Sequence, residues 1–416
     1  MKGGVGRYTY HLVNALKKND KKNIDVYIVT NSHKEKEKSN TDIISSTFSP
    51  LVGDNTTTTI NDNIDNSDVD QSNGVYHGIT KKGDIKNSDR LLALVHRLKP
   101  DIVNIQYERG LYEIDTTIGH MFRRILHGST LDKFYKKCPV PTISTLHTLF
   151  PYQEYLEYVK ERVLRKEGKF AFLPLPLRIA IRKWVMHQRY DLLQEVVRLS
   201  SDIISPAKTI HKIVKRGTVI YHGAEPAQSL SAANKEEFRK ELGLYNDKML
   251  LLAFGYVGSY KGFDILDNLR LPEDWSLVVK QNKHERGVEQ PLRIKNAINL
   301  SLGHIDEVTL SKLFFACDAI IFPYKIVSIS GVLFDALAHG LPFVASNLEF
   351  FREFEEMQLG LTCNRNVKSF SDSITNLAED YNRYRKNVQQ FNPKLRWSKI
   401  ANDHIEFYSK LLKPSP

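Results

Sequence analysis

The chain opens on Gly3-Gly4-Val5-Gly6-Arg7 and passes directly into a helical repeat of apolar residues. Glycines at a helix start let backbone N–H groups approach an anion at the positive end of the helix dipole, so the chemistry they offer is phosphate or carboxylate binding. A plain tight turn uses the same residues. The dinucleotide fingerprint G-x-G-x-x-G is absent and no strand leads into these glycines, which disfavours a dehydrogenase. Cys138, Cys317 and Cys363 have neither pairing nor metal-ligand spacing, which argues against a disulfide framework or a zinc cluster and implies no metal. No paired-carboxylate or Ser/His/Asp arrangement stands out either, so nothing points to an enzymic nucleophile.

The elements that would position such loops follow from periodicity. A helix is expected over 8–18, with Tyr10, Leu12, Val13 and Leu16 at helical spacing, then a strand at 26–30. From about 34 to 89 the composition turns to Lys/Glu alternation and then to Asn, Asp, Ser and Thr, with too little apolar surface to order itself, and reads as a flexible insertion. Helix and strand alternation resumes with a helix over 90–98 and strands at 102–106, 142–146, 203–204, 219–220, 250–254, 276–279, 297–300, 319–322 and 343–345. Short apolar strands alternating with helices predict doubly wound parallel sheets, and 416 residues exceed what one core usually serves. Two domains are expected: residues 1–215 and 216–395, with a final helix over 396–416 crossing back to the first.

The net charge of +11 favours anionic partners. The stretch 155–190 holds nine Lys/Arg against three Glu, interleaved with Phe170, Phe172, Leu173, Leu175, Leu177, Ile179, Ile181 and Trp184. If 177–199 is helical, Arg178, Arg182 and Arg189 share one stripe beside Val185, as contact with an anionic membrane surface requires; a solvated basic face of an ordinary packed helix reads the same way. No apolar run is long enough to span a bilayer and no signal-peptide core begins the chain, so the expected location is cytoplasmic, peripheral to the membrane. No nucleic-acid module is recognised, which leaves nucleic-acid binding a minor alternative.

Taken in order, Gly3-Gly4-Val5-Gly6-Arg7, the string 101–108, Ser144-Thr145-Leu146-His147, Ile220-Tyr221-His222-Gly223, Phe254-Gly255 through Lys261-Gly262, and the string 330–342 beginning Ser330-Gly331-Val332-Leu333 resemble the retaining GT-B glycosyltransferases of family 4, the glycosyl transferases group 1. Only the 34–89 insertion and about 155–200 fall outside the match. The resemblance implies an α/β GT-B fold, two Rossmann-like doubly wound domains facing a central cleft, and transfer of a hexose from a GDP- or UDP-sugar to a glycan or lipid-linked acceptor without metal or cofactor. It assigns Lys261 to the donor diphosphate, where a compact ammonium suits the task. Ser330, Gly331 and Val332 would hold the distal phosphate at a helix start, though a simple helix cap is an alternative for Ser330. Asp335 matches the carboxylate that receives the ribose hydroxyls, one methylene shorter than usual. His147 matches the histidine beside the transferred sugar, Gly255 lines the donor, Gly3, Gly4 and Arg7 form the phosphate or acceptor loop, and Glu353 stands where many members have a glutamate. In such a mechanism the leaving phosphate takes the acceptor proton, and catalysis rests on charge stabilisation and orientation.

Three positions depart from the pattern. Val327 replaces the first family glutamate, Tyr256 replaces an arginine, and Lys280-Gln281-Asn282 replaces a glycine-rich strand end. Chains with Ser-x-Ser-Gly-Val-Leu resemble this one better. These departures keep open a catalytically silent GT-B protein that binds a nucleotide or a partner enzyme. The fold also needs a strand before Gly3, so upstream in-frame DNA is expected to encode one.

Overall fold

The structure is a computed structural model that describes residues 4–19, 24–31, 75–79, 84, 86–112, 130–164, 172–228, 230–244, 247–282, 291–303 and 305–413. Gly3 and most of the 34–89 insertion lie outside the described residues. The strands are β1 (Ile28–Asn31), β2 (Val75–Ile79), β3 (Val103–Tyr107), β4 (Thr142–Leu146), β5 (Asp202–Ser205), β6 (Thr218–Val219), β7 (Met249–Tyr256), β8 (Trp275–Asn282), β9 (Ile298–Asn299), β10 (Ala319–Phe322), β11 (Phe343–Ser346) and β12 (Gly360–Cys363). They form sheets of order β1-β2, β3-β4-β5-β6 and β12-β11-β10-β7-β8-β9. The chain divides into two compact units, Met1–Asn19 with Asn104–Tyr107 and Ile143–Pro416 as one, and Asp20–Val103 with Glu108–Thr142 as the other.

In the smaller unit β1 pairs parallel with β2, so the stretch expected to be an unstructured insertion as far as 89 contains a strand and then the start of the helix Lys86–Leu98. The five residues of β2 are too few to raise the apolar content of that polar stretch, and pairing with a distant strand decides their conformation. The helix Lys86–Leu98 meets Asp132–Lys137 through a buried hydroxyl, Ser88 Oγ donating to Thr130 O at 2.7 Å and accepting from Phe134 N at 3.1 Å.

The larger unit is built on the six-stranded parallel sheet, whose central strands are continuous apolar runs buried on both faces. Alternate residues feed different cores: Leu250, Leu252, Phe254, Ile320, Phe322, Phe343 and Ala345 face one cluster, while Leu251, Ala253, Ala319, Ile321 and Val344 face the other. β12 escapes the sequence reading because it is a short edge strand with only Gly360 buried. After β7 the sheet grows outward through β8 and β9, and the chain then returns to the other side of β7 with β10. That reversal between β7 and β10 is a topological switch point, and open parallel sheets bind ligands at the carboxyl ends of the strands there. Those ends lead to Lys261 and to Ser330 respectively.

The helix Gly4–Lys17 buries Tyr8, Leu12, Val13 and Leu16, and Tyr10, expected on the apolar face, is exposed, because the spacing of four from Tyr8 through Leu16 defines the stripe. It packs against the last helix, Trp397–Leu412, which buries Trp397, Ile400, Ala401, His404 and Ile405. Tyr8 Oη donates to His404 Nε2 at 3.4 Å, and His404 Nδ1 donates to Ile400 O at 2.8 Å, so one tautomer serves both bonds.

Candidate functional site

Lys261 ends a tight turn, Ser259–Lys261, just beyond β7, and its side chain turns inward rather than to solvent. Gly255 makes the space: a Cβ there would stand 3.2 Å from Lys261 Cε. Gly262 closes the turn at φ +69°, where a Cβ would fall 1.8 Å from Pro323 O, so no other residue fits. Arg365 fastens the same turn, donating from Nε to Pro323 O at 2.8 Å and from Nη2 to Gly262 O at 3.1 Å, and pairing with Asp264. Lys261 Nζ donates to Tyr324 Oη at 2.6 Å and lies 3.9 Å from the centroid of that ring. Among the described residues no carboxylate pairs with it, and burial pulls its pKa down to about 7. An ammonium taken from water costs several kcal/mol unless a counter-charge meets it, which is why burial favours the neutral amine here.

The second loop follows β10. Ser330 caps the helix Gly331–Ala338, its Oγ accepting from Leu333 N at 3.3 Å, and it also reaches the Tyr324 hydroxyl that holds Lys261. The helix cap and a place beside Lys261 therefore belong to one residue. A Cβ added to Gly331 would meet His222 among the described residues, with Nε2 3.7 Å away, and Val332 packs against the core. Val327, at the place of the family glutamate, is buried in that core, an environment hostile to a carboxylate.

Asp335 is buried one turn into this helix and receives Arg7 from the first helix as a fork, Nη1 to Oδ2 at 2.7 Å and Nη2 to Oδ1 at 3.3 Å. Arg7 Nε also donates to Glu307 at 3.0 Å, and His11 Nε2 contacts the same oxygen at 2.8 Å. The hydrogen bond from His11, with Arg7 beside it, holds the Glu307 carboxyl down to about 2. Arg7 and Asp335, expected to meet different parts of a donor, thus form one bidentate pair.

His147 follows β4, its Nε2 donating to Gln106 Oε1 at 2.8 Å. Tyr8 stands between it and His222, with ring centroids 4.9 Å and 5.0 Å away. His222 donates from Nδ1 to Gly223 O at 2.7 Å and stacks on Phe334 at 5.4 Å. Burial lowers both imidazoles, His147 to about 3 and His222 to about 4, so both are neutral at physiological pH and can exchange hydrogen bonds with hydroxyl groups. The candidate residues thus meet as two groups, Lys261 with Gly255, Tyr324 and Ser330, and Arg7 with Asp335, while His147 reaches Gly331 through Tyr8 and His222. Glu353 lies apart: it is buried on the helix Glu349–Glu355 and accepts from Thr209 N at 3.2 Å, and burial raises its pKa. Tyr324, Arg365 and Tyr8 are not legible as site residues in the sequence, whereas His222 and Ser328 stand inside its motifs without a role of their own.

Parallel α/β sheets with loops gathered at a switch point define the class, and the fold is GT-B. HepE of Anabaena, solved in complex with UDP-glucose, superposes with a TM-score of 0.54 over 81% of this chain and 86% of its own, at 14% identity. Sucrose-phosphate synthase from Thermosynechococcus elongatus gives 0.52 over 82% of each chain at 13% identity. Residues 270–380 match the family model of the glycosyl transferases group 1, so the second half of the chain carries a glycosyltransferase group 1 domain. An uncharacterized glycosyltransferase of Methanocaldococcus jannaschii is 23% identical over 209 residues, 46% of this chain and 53% of that protein. The match thus spans about half the length of that curated relative.

Proposed function

We propose that this protein is a retaining glycosyltransferase of family 4 that moves a hexose from a GDP- or UDP-sugar to a glycan or lipid-linked acceptor. The observation that carries the reading is Lys261, a buried ammonium at the switch point with no carboxylate partner among the described residues. A diphosphate supplies the missing charge, Lys261 and the amides of Gly331 and Val332 hold it, and the ammonium recovers full charge when the phosphate arrives. Stabilised in this way, the leaving phosphate takes the acceptor proton, so no metal or cofactor is assigned to the step. Neutral His147 hydrogen-bonds a hydroxyl of the transferred sugar. That HepE has been solved with UDP-glucose supports a nucleotide-sugar donor.

The acceptor reading rests on surface. Phe172, Leu175, Leu177 and Trp184 are exposed at and along the start of the helix Leu175–Leu199, with Lys183 exposed among them. They suit an anionic membrane carrying a lipid-linked acceptor, on the cytoplasmic side. Arg178, expected to face headgroups, is buried instead, because packing and not the charge stripe sets that helix's rotation. Arg189 has a side chain outside the described set.

Thermal melts with UDP, GDP and ADP test the donor site, since a ligand that binds only the folded state raises its stability. One of the three is expected to stabilise the protein and to be released from its hexose nucleotide on turnover; no stabilisation by any of them sinks the reading. A second reading, nucleotide binding without transfer, is favoured by Val327 in the core and by Asp335 already held by Arg7. Stabilisation with no turnover of any sugar nucleotide would decide for it.

A further inference from the structure

The loop between β10 and the helix Gly331–Ala338 does more than present Ser330. Within it, Ser328 is buried and turns its hydroxyl to the backbone of Leu149, two residues beyond His147. Ser328 Oγ accepts from Leu149 N at 2.6 Å and donates to Leu149 O at 2.9 Å. One side chain therefore serves both polar groups of a buried residue, as a neighbouring strand would. On the near side of Leu149, His147 N donates to Tyr107 O at 3.0 Å, which fixes the histidine on its own sheet. On the far side, Glu154 accepts from Glu349 N, and Lys325, itself buried, reaches Glu161 at 3.3 Å.

The same loop is anchored to the Lys261 turn. Lys325 N donates to Tyr260 O at 2.8 Å, Pro323 O receives Arg365, and Tyr324 holds the ammonium. Residues 323–330 are thus one piece of chain with Lys261 fastened to one end, the helix start at Ser330 at the other, and the His147 loop clamped to its middle.

We propose that Ser328 is a positioning residue for sugar transfer: its hydroxyl locks the His147 loop to the frame that holds the donor phosphates. This rests on the donor-site reading above. It gives the first serine of Ser328-Ile329-Ser330-Gly331 a task distinct from that of the second. Val327 turns into the core, and Ser328 is the residue that reaches across. Removing the hydroxyl leaves the Leu149 N–H and C=O buried without partners, so the loop must shift to find them. A displacement of about 1 Å at a reacting centre costs on the order of 100-fold in rate while leaving a distant phosphate contact intact.

Three measurements on the full chain test this with Ser328→Ala, Ser328→Cys and Ser328→Thr. Cysteine is close to serine in size but a poor hydrogen-bond former, so it carries the test without a cavity, and threonine keeps the hydroxyl. Hydrogen exchange at the Leu149 amide is expected to quicken in the alanine and cysteine variants and to stay near wild type with threonine. The Kd for whichever of UDP, GDP or ADP stabilises the wild type is expected to stay within about 3-fold, while kcat for hydrolysis of the matching sugar nucleotide falls roughly 10- to 100-fold and is recovered by threonine. Unchanged exchange, unchanged kcat, or a loss of nucleotide affinity equal to the loss of kcat each overturns the assignment. A wild-type chain that binds none of the nucleotides overturns the donor-site reading and Ser328's part in transfer together, and the exchange rates then still show whether the hydroxyl holds the loop.

Discussion

Lys261 carries two expectations that its surroundings make quantitative. With Tyr256 where the chains it resembles often have an arginine and no described carboxylate at its Nζ, Lys261→Ala is expected to lower kcat/KM about 10- to 150-fold, the range of one charged hydrogen bond made in the transition state, and exposed Lys295→Ala to change nothing. Lys261→Arg should recover only part, because a planar fork replaces a compact ammonium. A folded alanine variant with wild-type kcat/KM would remove Lys261 from the donor site. The second expectation concerns pH. In the free protein burial holds the lysine near 7, and a bound diphosphate raises that value. Below pH 7 the group is charged in both states and affinity is flat; above pH 7 binding must take up a proton, so affinity for an intact sugar nucleotide, whose diphosphate does not titrate there, falls by up to about tenfold per unit. Titration calorimetry from pH 6 to 9 should show this slope in the wild type and none in Lys261→Ala. The lysine, Ser330 and Gly331 were legible because they sit in short ordered motifs. Tyr324 and Arg365 were not, and Ser328 was visible only as a motif letter without a task, since each acts across a long separation in sequence and nothing local marks a residue for a distant partner.

At the scale of elements, strands buried on both faces were read correctly, because runs such as those of β7, β10 and β11 carry their burial in their own composition. β12, with one buried residue, and β2, set in polar sequence, depend on pairing partners that composition does not reveal. The turn after β7 shows how an element places a side chain. Gly262 and Gly340 both have left-handed backbones, φ +69° and +85°, but an added Cβ meets Pro323 O at 1.8 Å at the first and, among the described residues, nothing within 4 Å at the second. Gly340→Ala should therefore cost only conformational strain, on the order of 1 kcal/mol, and leave nucleotide binding intact. Gly262→Ala adds a backbone clash that pushes the Lys261 turn off Pro323, so it is expected to cost more and to abolish nucleotide stabilisation in a melt. Equal behaviour of the two variants would mean that the turn is not what aims the lysine.

At the scale of the whole molecule, the proposed membrane contact combines the charge of +11 with the exposed Phe172, Leu175, Leu177 and Trp184. No described helix is long and apolar enough to cross a membrane. Flotation with anionic vesicles at low salt should carry the wild type, and Phe172→Ser with Leu177→Ser and Trp184→Ser should leave the protein in the dense fraction. A triple variant that floats as well as wild type removes the apolar surface from membrane binding. The buried ammonium has one more consequence, in the economy of the cell. A protein that binds its ligand only when folded is less resistant to unfolding when that ligand is scarce and more resistant when it is plentiful, so under the proposed function its abundance is expected to follow the supply of the nucleotide sugar. Protease digestion of the native protein should then slow several-fold in saturating nucleotide, and Lys261→Met should need a higher nucleotide concentration for the same protection. Copies made in excess of the sugar they could spend would be the first to be cleared.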